Sequence, residues 1–425
     1  MGENESQFEG KLLSHSLLLV VTTGIASAAA VVFHMIMGRR LEESEYGILA
    51  ALLNMMLVLS TPLDALRNAM AQFAARAHRA NDPALVRAIA WRWCLRIGLL
   101  SLPLSLALWL LHGPIAGFFH LQSPGPVLIV ALCLPPFMLL PVAAGILQGI
   151  QRFWIFSASM HGMALIRLAL GYGFVALLGA TAFYAVLAHG LATLYGALAA
   201  ILSVWWITRG AGPAVKATRG IGPYFLGAMF MLGAYGILMN CDVMIVRHFY
   251  PNKADAYAWA ATIGRSVVFL PMPIAMAMFP KVISSGASSR SSRLILLKAL
   301  GMVSAMIGAG VAVCLLWPKL PLLILYGIRD PAPELLHLVR MTILAMCPLG
   351  ITYLLLNFEM AQHRFGTVPW LALLAVAYVV GVWRWHGSVL AIVGVLGTVA
   401  TASAVLYLWA LLRPGRPAAA AAPAH

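Results

Sequence analysis

Long apolar runs recur along the whole chain, and the short segments between them hold most of its charged residues. A run of about 20 apolar residues can cross the roughly 30 Å hydrocarbon core of a bilayer as an α-helix, which satisfies its own backbone hydrogen bonds. The pattern therefore predicts an all-α integral membrane protein with about twelve transmembrane helices. The predicted spans are residues 12–37, 46–72, 89–111, 125–149, 155–178, 182–207, 223–249, 256–280, 294–317, 335–358, 367–383 and 388–412.

Two of these assignments depend on length. The stretch Leu168–Thr208 has no charged residue and is too long for one span, so we place a break at Gly179–Thr181. The first apolar run, Leu12–Met37, is too long for the core of a signal peptide and follows no basic segment. We therefore expect it to remain in the protein as the first span.

The connecting segments differ in their content of Lys and Arg. With the N-terminus placed inside, the inner segments hold fifteen of these residues and the outer segments hold six. The inner set is Lys11, Arg76, Arg79, Arg87, Arg152, Arg209, Lys216, Arg219, Lys281, Arg290, Arg293, Lys298, Arg364, Arg413 and Arg416. The outer set is Arg39, Arg40, Lys253, Lys319, Arg329 and Arg384. Because basic residues collect in cytoplasmic loops, we expect both termini to be cytoplasmic.

The composition excludes a soluble protein. Of the 425 residues, 62% are hydrophobic and 10% are charged, whereas soluble domains carry about 25% charged residues. The net charge of +15 is explained by loops that lie against anionic lipids, so we expect membrane lipids as partners and no nucleic acid. The five cysteines lie in apolar runs and form no CxxC pair, which indicates core packing and not disulfides or metal ligands.

The two halves of the chain resemble each other at an offset of 211 residues. This offset places Tyr46 on Tyr257 and Pro62 on Pro273, and it aligns two Arg-rich inner loops. Six spans in each half give both halves the same direction in the membrane, so the axis that relates them runs along the membrane normal.

We therefore expect two six-helix bundles related by a pseudo-two-fold axis along the membrane normal. The bundles comprise residues 1–207 and 223–412, with a cytoplasmic linker at 208–222 and a frayed cytoplasmic tail at 413–425. Two facing bundles of this kind enclose a cavity that can open to either side of the membrane. We expect the chain to act as a monomer.

Few charged residues lie deep inside the predicted spans, where they are costly and usually face other helices or water. Asp242 and Arg265 lie on consecutive antiparallel spans, at similar depths when about 1.5 Å is counted for each residue, so we expect them to pair. Asp64 and Arg67 are three residues apart on one helix, which places both on one face and predicts a local ion pair.

Arg167 lies near the midplane of the fifth predicted span, and no acidic residue lies at its level in the neighbouring spans. One interpretation is structural: the guanidinium binds backbone carbonyls or reaches toward the membrane surface. The other is that it lines a positively charged cavity for an anionic head group, since arginine stays charged and binds phosphate through two parallel hydrogen bonds. The sequence leaves both open. His34, His161 and His189 are isolated within spans and are interpreted as hydrogen-bonded core residues.

Motifs of catalysis are missing from the sequence, which has no Walker A loop, no HExxH, no CxxC and no nucleophile elbow. Its carboxylates are too few and too scattered for acid–base pairs. We therefore expect no enzyme activity, no catalytic residue, no cofactor and no metal site. A membrane-embedded glycan polymerase or ligase stays as an alternative, but it would need a large outer loop, and the longest is 318–334.

Segments in both halves carry a resemblance to a known family. The exit from the first span, Met37–Gly47 (MGRRLEESEYG), resembles the start of bacterial polysaccharide or oligosaccharide flippases. In the second half, Asp242–Tyr250 (DVMIVRHFY) leads through Tyr257 and Arg265 to Phe279–Lys281. This spacing is similar to that of the O-antigen exporter branch of the multidrug/oligosaccharidyl-lipid/polysaccharide exporter superfamily.

The resemblance implies a transporter for cell-surface polysaccharide synthesis in the bacterial cytoplasmic membrane. Its cargo would be an anionic, polyprenyl-pyrophosphate-linked oligosaccharide, flipped from the inner to the outer leaflet by alternating access through a basic central cavity. In this chain the resemblance implies that Arg167 and Arg265 line the cavity. Asn54, which the 211-residue offset places on Arg265, is the matching position in the other half.

The alternative within the superfamily is a multidrug exporter coupled to a cation, Na⁺ or H⁺. Its candidate coupling carboxylates here are Asp242 and Asp64, the latter beside Arg67. The first span lacks the acidic cluster that would favour such an exporter. The sequence also ends after the twelfth predicted span, whereas the lipid II branch carries additional spans.

Overall fold

Residues 2–42, 44–212, 221–269 and 290–412 are described by the computed structural model, together with the single positions 274, 275, 278 and 282. This part of the chain is α-helical and contains no β-strand. The fold class is therefore all-α, as the hydropathy pattern predicts. Residues 213–220 of the predicted linker and the whole predicted tail, 413–425, lie outside the described residues.

The described part of the first half forms eight helices, seven of them at the six predicted spans. They are α1 (Gly2–Arg40), α2 (Glu45–Arg79), α3 (Pro83–Leu110), α4 (His112–Phe118), α5 (Gly125–Gly149), α6 (Phe153–Met160), α7 (Gly162–Leu177) and α8 (Ala182–Thr208). The fifth predicted span is divided into α6 and α7 by an interruption at His161. The His161 ring is hydrogen-bonded to Thr22 and Thr23 of α1 at 2.8 and 3.3 Å, a tertiary contact that hydropathy does not report.

The described part of the second half has a similar succession of long and short helices. Its helices are α9 (Ile221–Phe249), α10 (Ala254–Phe269), α11 (Arg290–Leu316), α12 (Lys319–Tyr326), α13 (Pro333–Ala361), α14 (Val368–Arg384) and α15 (Val389–Leu412). The eighth predicted span, 256–280, is described continuously only as far as Phe269. A short helix that the hydropathy pattern does not predict follows the third long helix of each half, α4 after α3 and α12 after α11.

The helices have the length and surface of membrane spans. Within the described residues, ten helices are long and apolar enough to cross a membrane, and α14 is a shorter apolar helix. On α3, Leu99 is 61% exposed and Leu110 is 60% exposed. Contiguous apolar surface of this kind is unfavourable in water and is typical of a lipid-facing helix. The chain is therefore a multi-pass membrane protein.

Local sequence signals set several helix ends. The Asp82 carboxylate accepts a hydrogen bond from the N–H of Leu85 at 2.8 Å, which caps the first turn of α3. Gly179, at the predicted break, has a φ of 152°, which strongly favours glycine. The next helix, α8, begins with the N–H of Ala182 donated to Oε2 of Glu45 at 2.5 Å. A carboxylate at that place also suits the positive end of the helix dipole.

The chain divides into two compact units, Met1–Leu52 with Leu63–Phe225 and Leu53–Pro62 with Leu226–His425. Leu53–Pro62, in the middle of α2, therefore belongs to the second unit. In the first unit, α5 packs against α3 and α8; in the second, α13 packs against α10 and α15. The predicted domain boundaries and the pseudo-two-fold axis stay predictions.

Within the first unit, α5 approaches α2 through glycine. A Cβ built on Gly145 would collide with the carbonyl oxygen of Arg67 and would lie 2.9 Å from Cβ of Met70. Small residues allow such close helix contacts in membranes, where packing and not water exclusion holds helices together. This contact fixes the backbone beneath the Arg67 side chain.

We expect Gly145→Ala to lower the yield of folded protein, since overpacking a close contact costs about 1–3 kcal/mol. Gly173→Ala on α7 is the matched control, because nothing lies within 4 Å of a Cβ built there. The measurement is the fraction of detergent-solubilised protein that elutes as a single monodisperse peak after heating. Equal losses for the two variants would contradict the close approach.

Candidate functional site

A buried ion pair lies in the second unit. The Arg265 guanidinium on α10 contacts Oδ1 of Asp242 on α9, and the two side chains are 7% and 0% exposed. Tyr257 donates its hydroxyl hydrogen to Oδ2 of Asp242 at 2.8 Å. Nε of Arg265 donates to the carbonyl oxygen of Met239 at 2.9 Å. Both carboxylate oxygens and two guanidinium nitrogens are therefore occupied.

These contacts neutralise both charges inside the unit. The structure thus brings Asp242 and Arg265 together, as their depths in consecutive spans predict. A lone charge at this position would carry a desolvation penalty of several kcal/mol, which the partner and the extra hydrogen bonds offset. In this conformation Arg265 offers no unpaired charge to an anionic ligand, and Asp242 offers none to a cation.

Arg167 is held differently, over an aromatic ring in the first unit. Its guanidinium carbon lies 4.6 Å from the centre of the Phe33 ring, and Phe33 itself is fully buried. Gly171, one turn further along α7, lets the ring approach, because a Cβ there would lie 2.7 Å from Phe33. A stacked guanidinium keeps its charge while its edge stays open to hydrogen-bond acceptors.

No anion neutralises Arg167 among the described residues. It takes part in none of the three ion pairs that these residues form. Its Nε has no hydrogen-bond partner within the same part of the chain, although that atom is buried. The half-buried Arg167 is therefore a desolvated positive charge with unused donors.

Two histidines of the first unit, His34 and His189, contribute neutral polar groups to its interior. His189 on α8 is 8% exposed, and its Nδ1 has no hydrogen-bond partner among the described residues. It lies close enough to Arg167 and His34 to feel their charges. Nδ1 of His34 lies 3.2 Å from the hydroxyl of Tyr46. The prediction that every histidine in a span is hydrogen-bonded thus fits His34 and His161 but not Nδ1 of His189.

Asp64 and Arg67 form a second ion pair, on α2 in the first unit. NH2 of Arg67 lies 3.3 Å from Oδ1 of Asp64, and the two side chains are 19% and 52% exposed. Arg67 also lies within electrostatic range of His161. Because Asp64 is half exposed, a pair of this kind contributes about 0–1 kcal/mol to stability.

The predicted cavity residues belong to different units. Arg167 lies in the first unit, whereas Asn54 and Arg265 lie in the second. Asn54 is 7% exposed and Arg265 is 6% exposed. Their shared role as cavity residues stays a prediction.

Two tyrosines that the predicted repeat aligns make similar contacts. Tyr46 and Tyr257, which the 211-residue offset aligns, are 2% and 0% exposed. Each tyrosine hydroxyl contacts a polar side chain on the preceding long helix, His34 for Tyr46 and Asp242 for Tyr257. The tyrosine of the family-like segments therefore occupies a buried polar contact in each half.

The sequence alone does not predict the surroundings of three residues, Tyr257, Phe33 and Glu359. The sequence places Tyr257 both in the 211-residue repeat and in the family-like segment, and these two positions are the signal for its buried polar role. Phe33 gave no signal, because an aromatic residue in an apolar span is ordinary. Glu359 directly follows the predicted span 335–358, where contact with water is expected, yet it is 5% exposed.

Comparison with solved structures identifies the fold. The chain superposes on an inward-facing multidrug resistance MATE family transporter of the MOP superfamily with a TM-score of 0.69 and 13% identity, covering 92% of this chain and 94% of that one. The eukaryotic MATE transporter AtDTX14 gives 0.68 and 13%, covering 95% and 97%. The lipid II flippase MurJ, in an inward closed conformation, gives 0.70 and 10%, covering 93% and 87%.

At these identities the likeness establishes the fold and not the cargo. The protein has the transporter fold of the MATE proteins and MurJ. No family model matches the sequence. No curated protein matches it either.

Proposed function

We propose that the protein is a flippase of the bacterial cytoplasmic membrane that moves a polyprenyl-pyrophosphate-linked oligosaccharide from the inner to the outer leaflet. The observation that carries the proposal is the unneutralised Arg167, stacked on Phe33 with no acidic partner among the described residues. A pyrophosphate that crosses the membrane loses its water shell, so it needs fixed positive charge along its path. Arginine supplies that charge together with paired N–H donors.

The surroundings of Arg167 favour an anion over a cation. His189 lies within electrostatic range of Arg167 and of His34, and none of these residues brings negative charge. Bound phosphate would accept hydrogen bonds from the open edge of the guanidinium while the Phe33 ring holds its face. We propose Arg167 as the principal head-group residue. Arg265 would join it only in a conformation that loosens its contact with Asp242.

A multidrug exporter coupled to Na⁺ or H⁺ is the second candidate, since MATE transporters are among the similar structures. That function requires a carboxylate that is free to bind the ion. Asp242 is engaged by Arg265 and Tyr257, and Asp64 is engaged by Arg67. These contacts favour the flippase over the drug exporter.

A glycan polymerase or ligase has less support. The longest predicted outer loop, 318–334, contains the helix α12 over Lys319–Tyr326. Little irregular chain is left there to build a catalytic site outside the membrane.

Purified protein in liposomes distinguishes the candidates. The probe is a fluorescent undecaprenyl-pyrophosphate disaccharide placed in both leaflets, with a membrane-impermeant quencher added outside. We expect quenching to proceed beyond the outer-leaflet half in protein-containing vesicles and to stop at half in empty ones. A fluorescent cationic drug, tested in the same vesicles under a Na⁺ or H⁺ gradient, should not move. Drug movement without flipping of the lipid would contradict the proposal and favour the exporter.

A further inference from the structure

Two arginines from distant parts of the chain meet at one edge of the first unit. NH1 of Arg87, in the second turn of α3, donates to the carbonyl oxygen of Ala211 at 2.6 Å and to that of Arg209 at 3.4 Å. Arg209 directly follows α8, and its guanidinium carbon lies 3.5 Å from the centre of the Trp206 ring in the last turn of that helix. Both guanidinium groups therefore lie at the end of α8, next to the beginning of α3.

Within the described residues, no acidic side chain balances these two charges. Neither Arg87 nor Arg209 takes part in any of the three ion pairs that these residues form. Both side chains are exposed. Peptide carbonyl oxygens and an indole face attract a guanidinium without cancelling its charge. The carbonyl contacts use NH1 of Arg87 alone, so the other N–H groups stay available to a ligand.

The same order of side chains leads from this edge into the apolar part of each helix. On α3 the series is Arg87, Trp91 and Leu95, and on α8, read back from its end, it is Arg209, Trp206 and Leu202. These spacings of three or four residues place each series along one face of its helix. Both tryptophans and both leucines are exposed. Because α3 and α8 pack against each other, the two series run into the membrane on neighbouring helices.

An anionic phospholipid has the same order of chemical groups. Its phosphate is negatively charged, its glycerol region lies at the level where tryptophan rings collect, and its acyl chains fill the hydrocarbon core. Arginine binds phosphate through paired N–H donors. A soluble phosphate would leave the exposed leucines uncovered, and a lipid without net charge would leave the two arginines unbalanced. The order of side chains therefore fits a lipid that is both apolar and anionic.

We propose that this edge of the first unit is a binding site for an anionic phospholipid. Arg87 and Arg209 bind the phosphate, the two tryptophans flank the glycerol region, and the two leucines contact the acyl chains. Two guanidinium groups match the two phosphates of cardiolipin better than the single phosphate of phosphatidylglycerol.

Both arginines belong to the set that the charge pattern assigns to the cytoplasmic side, where the leaflet surface is anionic. The lipid ties the end of α8 to the beginning of α3. The site uses none of the residues assigned to the cargo, so its occupation does not depend on what the protein carries.

Thermal unfolding of the delipidated full-length protein in a neutral detergent tests the proposal. Cardiolipin, phosphatidylglycerol and phosphatidylcholine are titrated separately as mixed micelles, and inorganic phosphate is titrated as a soluble anion. A ligand that binds only the folded state raises Tm as its concentration exceeds Kd. We expect a saturable rise with cardiolipin, a rise with phosphatidylglycerol at higher concentration, and none with inorganic phosphate. An equal rise with phosphatidylcholine or inorganic phosphate, or no rise with either anionic lipid, would overturn the proposal.

Charge variants separate this edge from general contact with lipid. Arg209→Gln removes one exposed charge and should raise the cardiolipin midpoint about fivefold, the effect of one basic residue at an anionic surface. Adding Arg87→Gln should raise the midpoint further. Arg152→Gln is the matched control, because Arg152 is another exposed arginine of the predicted cytoplasmic set, and its midpoint should equal that of the unmodified protein.

The tryptophans give a second test. Trp206→Leu removes the ring beneath Arg209 and should also raise the cardiolipin midpoint. Trp154→Leu, the same change at an exposed position of α6, should leave the midpoint unchanged. Identical cardiolipin titrations for the unmodified protein, Arg209→Gln and Trp206→Leu would overturn the site, whatever the lipid-flipping assay gives.

Discussion

Replacing Arg167 with alanine is expected to reduce lipid flipping to background while the protein still inserts and folds. Hydrogen bonds to charged groups contribute about 1.5–3 kcal/mol each, so losing even one in the rate-limiting state lowers the rate by roughly ten- to a hundredfold. The guanidinium also supplies the unneutralised charge within the first unit. The measurement is the initial rate of fluorescent pyrophosphate-lipid quenching in liposomes with equal amounts of folded protein.

Two further variants make the Arg167 experiment specific. Arg167→Lys should restore only part of the rate, since lysine keeps the charge but loses the planar pair of donors. Arg96→Ala is the matched control, because Arg96 also lies over an aromatic ring, 5.4 Å from the centre of Trp93, but is exposed on α3. A normal rate for folded Arg167→Ala would remove this residue from the mechanism and with it the main support for an anionic cargo.

Breaking the pair between Asp242 and Arg265 is expected to have the largest effect on stability. Asp242→Ala would leave the Arg265 charge buried without a partner, and removing one member of such a pair costs about 3–5 kcal/mol. We expect little folded Asp242→Ala protein. Asp242→Ala combined with Arg265→Leu should recover a substantial part of the yield, because the double change removes both charges from the apolar interior.

The comparison is a double-mutant cycle measured as thermal stability in detergent. Asp64→Ala is the control, since its half-exposed pair with Arg67 should cost at most about 1 kcal/mol. Tyr257→Phe should cost about 1 kcal/mol, the value of one hydrogen bond, because Asp242 keeps its contact with Arg265. Additive losses for Asp242→Ala and Arg265→Leu would mean that the two residues do not stabilise each other.

The double variant Asp242→Ala with Arg265→Leu also tests whether Asp242 couples transport to an ion gradient. If Asp242 were the carboxylate that couples transport to Na⁺ or H⁺, the recovered double variant would fold and lose its dependence on the ion gradient. We expect its dependence on the gradient to equal that of the unmodified protein.

Local features of the sequence determined the class of protein and the position of its spans. An apolar run of about 20 residues in a bilayer has few alternatives to a helix, since an unsatisfied backbone group in hydrocarbon costs several kcal/mol. Hence the predicted fourth span, 125–149, coincides with α5, and the predicted break at Gly179–Thr181 separates α7 from α8. Depth along a helix is equally local, because each residue advances it by about 1.5 Å, and this was enough to match Asp242 with Arg265.

The depth of a residue along its helix does not determine the direction in which its side chain points. Successive residues of a helix point about 100° apart, and the rotation of each helix about its axis is fixed by packing against its neighbours. Hydropathy says little about that rotation in a chain whose helices are apolar on most sides. The stacking of Arg167 on Phe33 and the second partner of Asp242, Tyr257, were therefore decided by the tertiary structure.

Glu359 shows the same difference between what local sequence determines and what tertiary packing decides. Directly after the predicted span 335–358, an acidic residue is expected to contact water or lipid head groups. Only the packing of the folded chain leaves Glu359 5% exposed, with Arg364 3.8 Å from its carboxylate. Local hydropathy thus determined which segments enter the membrane, whereas contacts between helices far apart in the chain decided which charged groups are neutralised, like Asp242, and which are not, like Arg167.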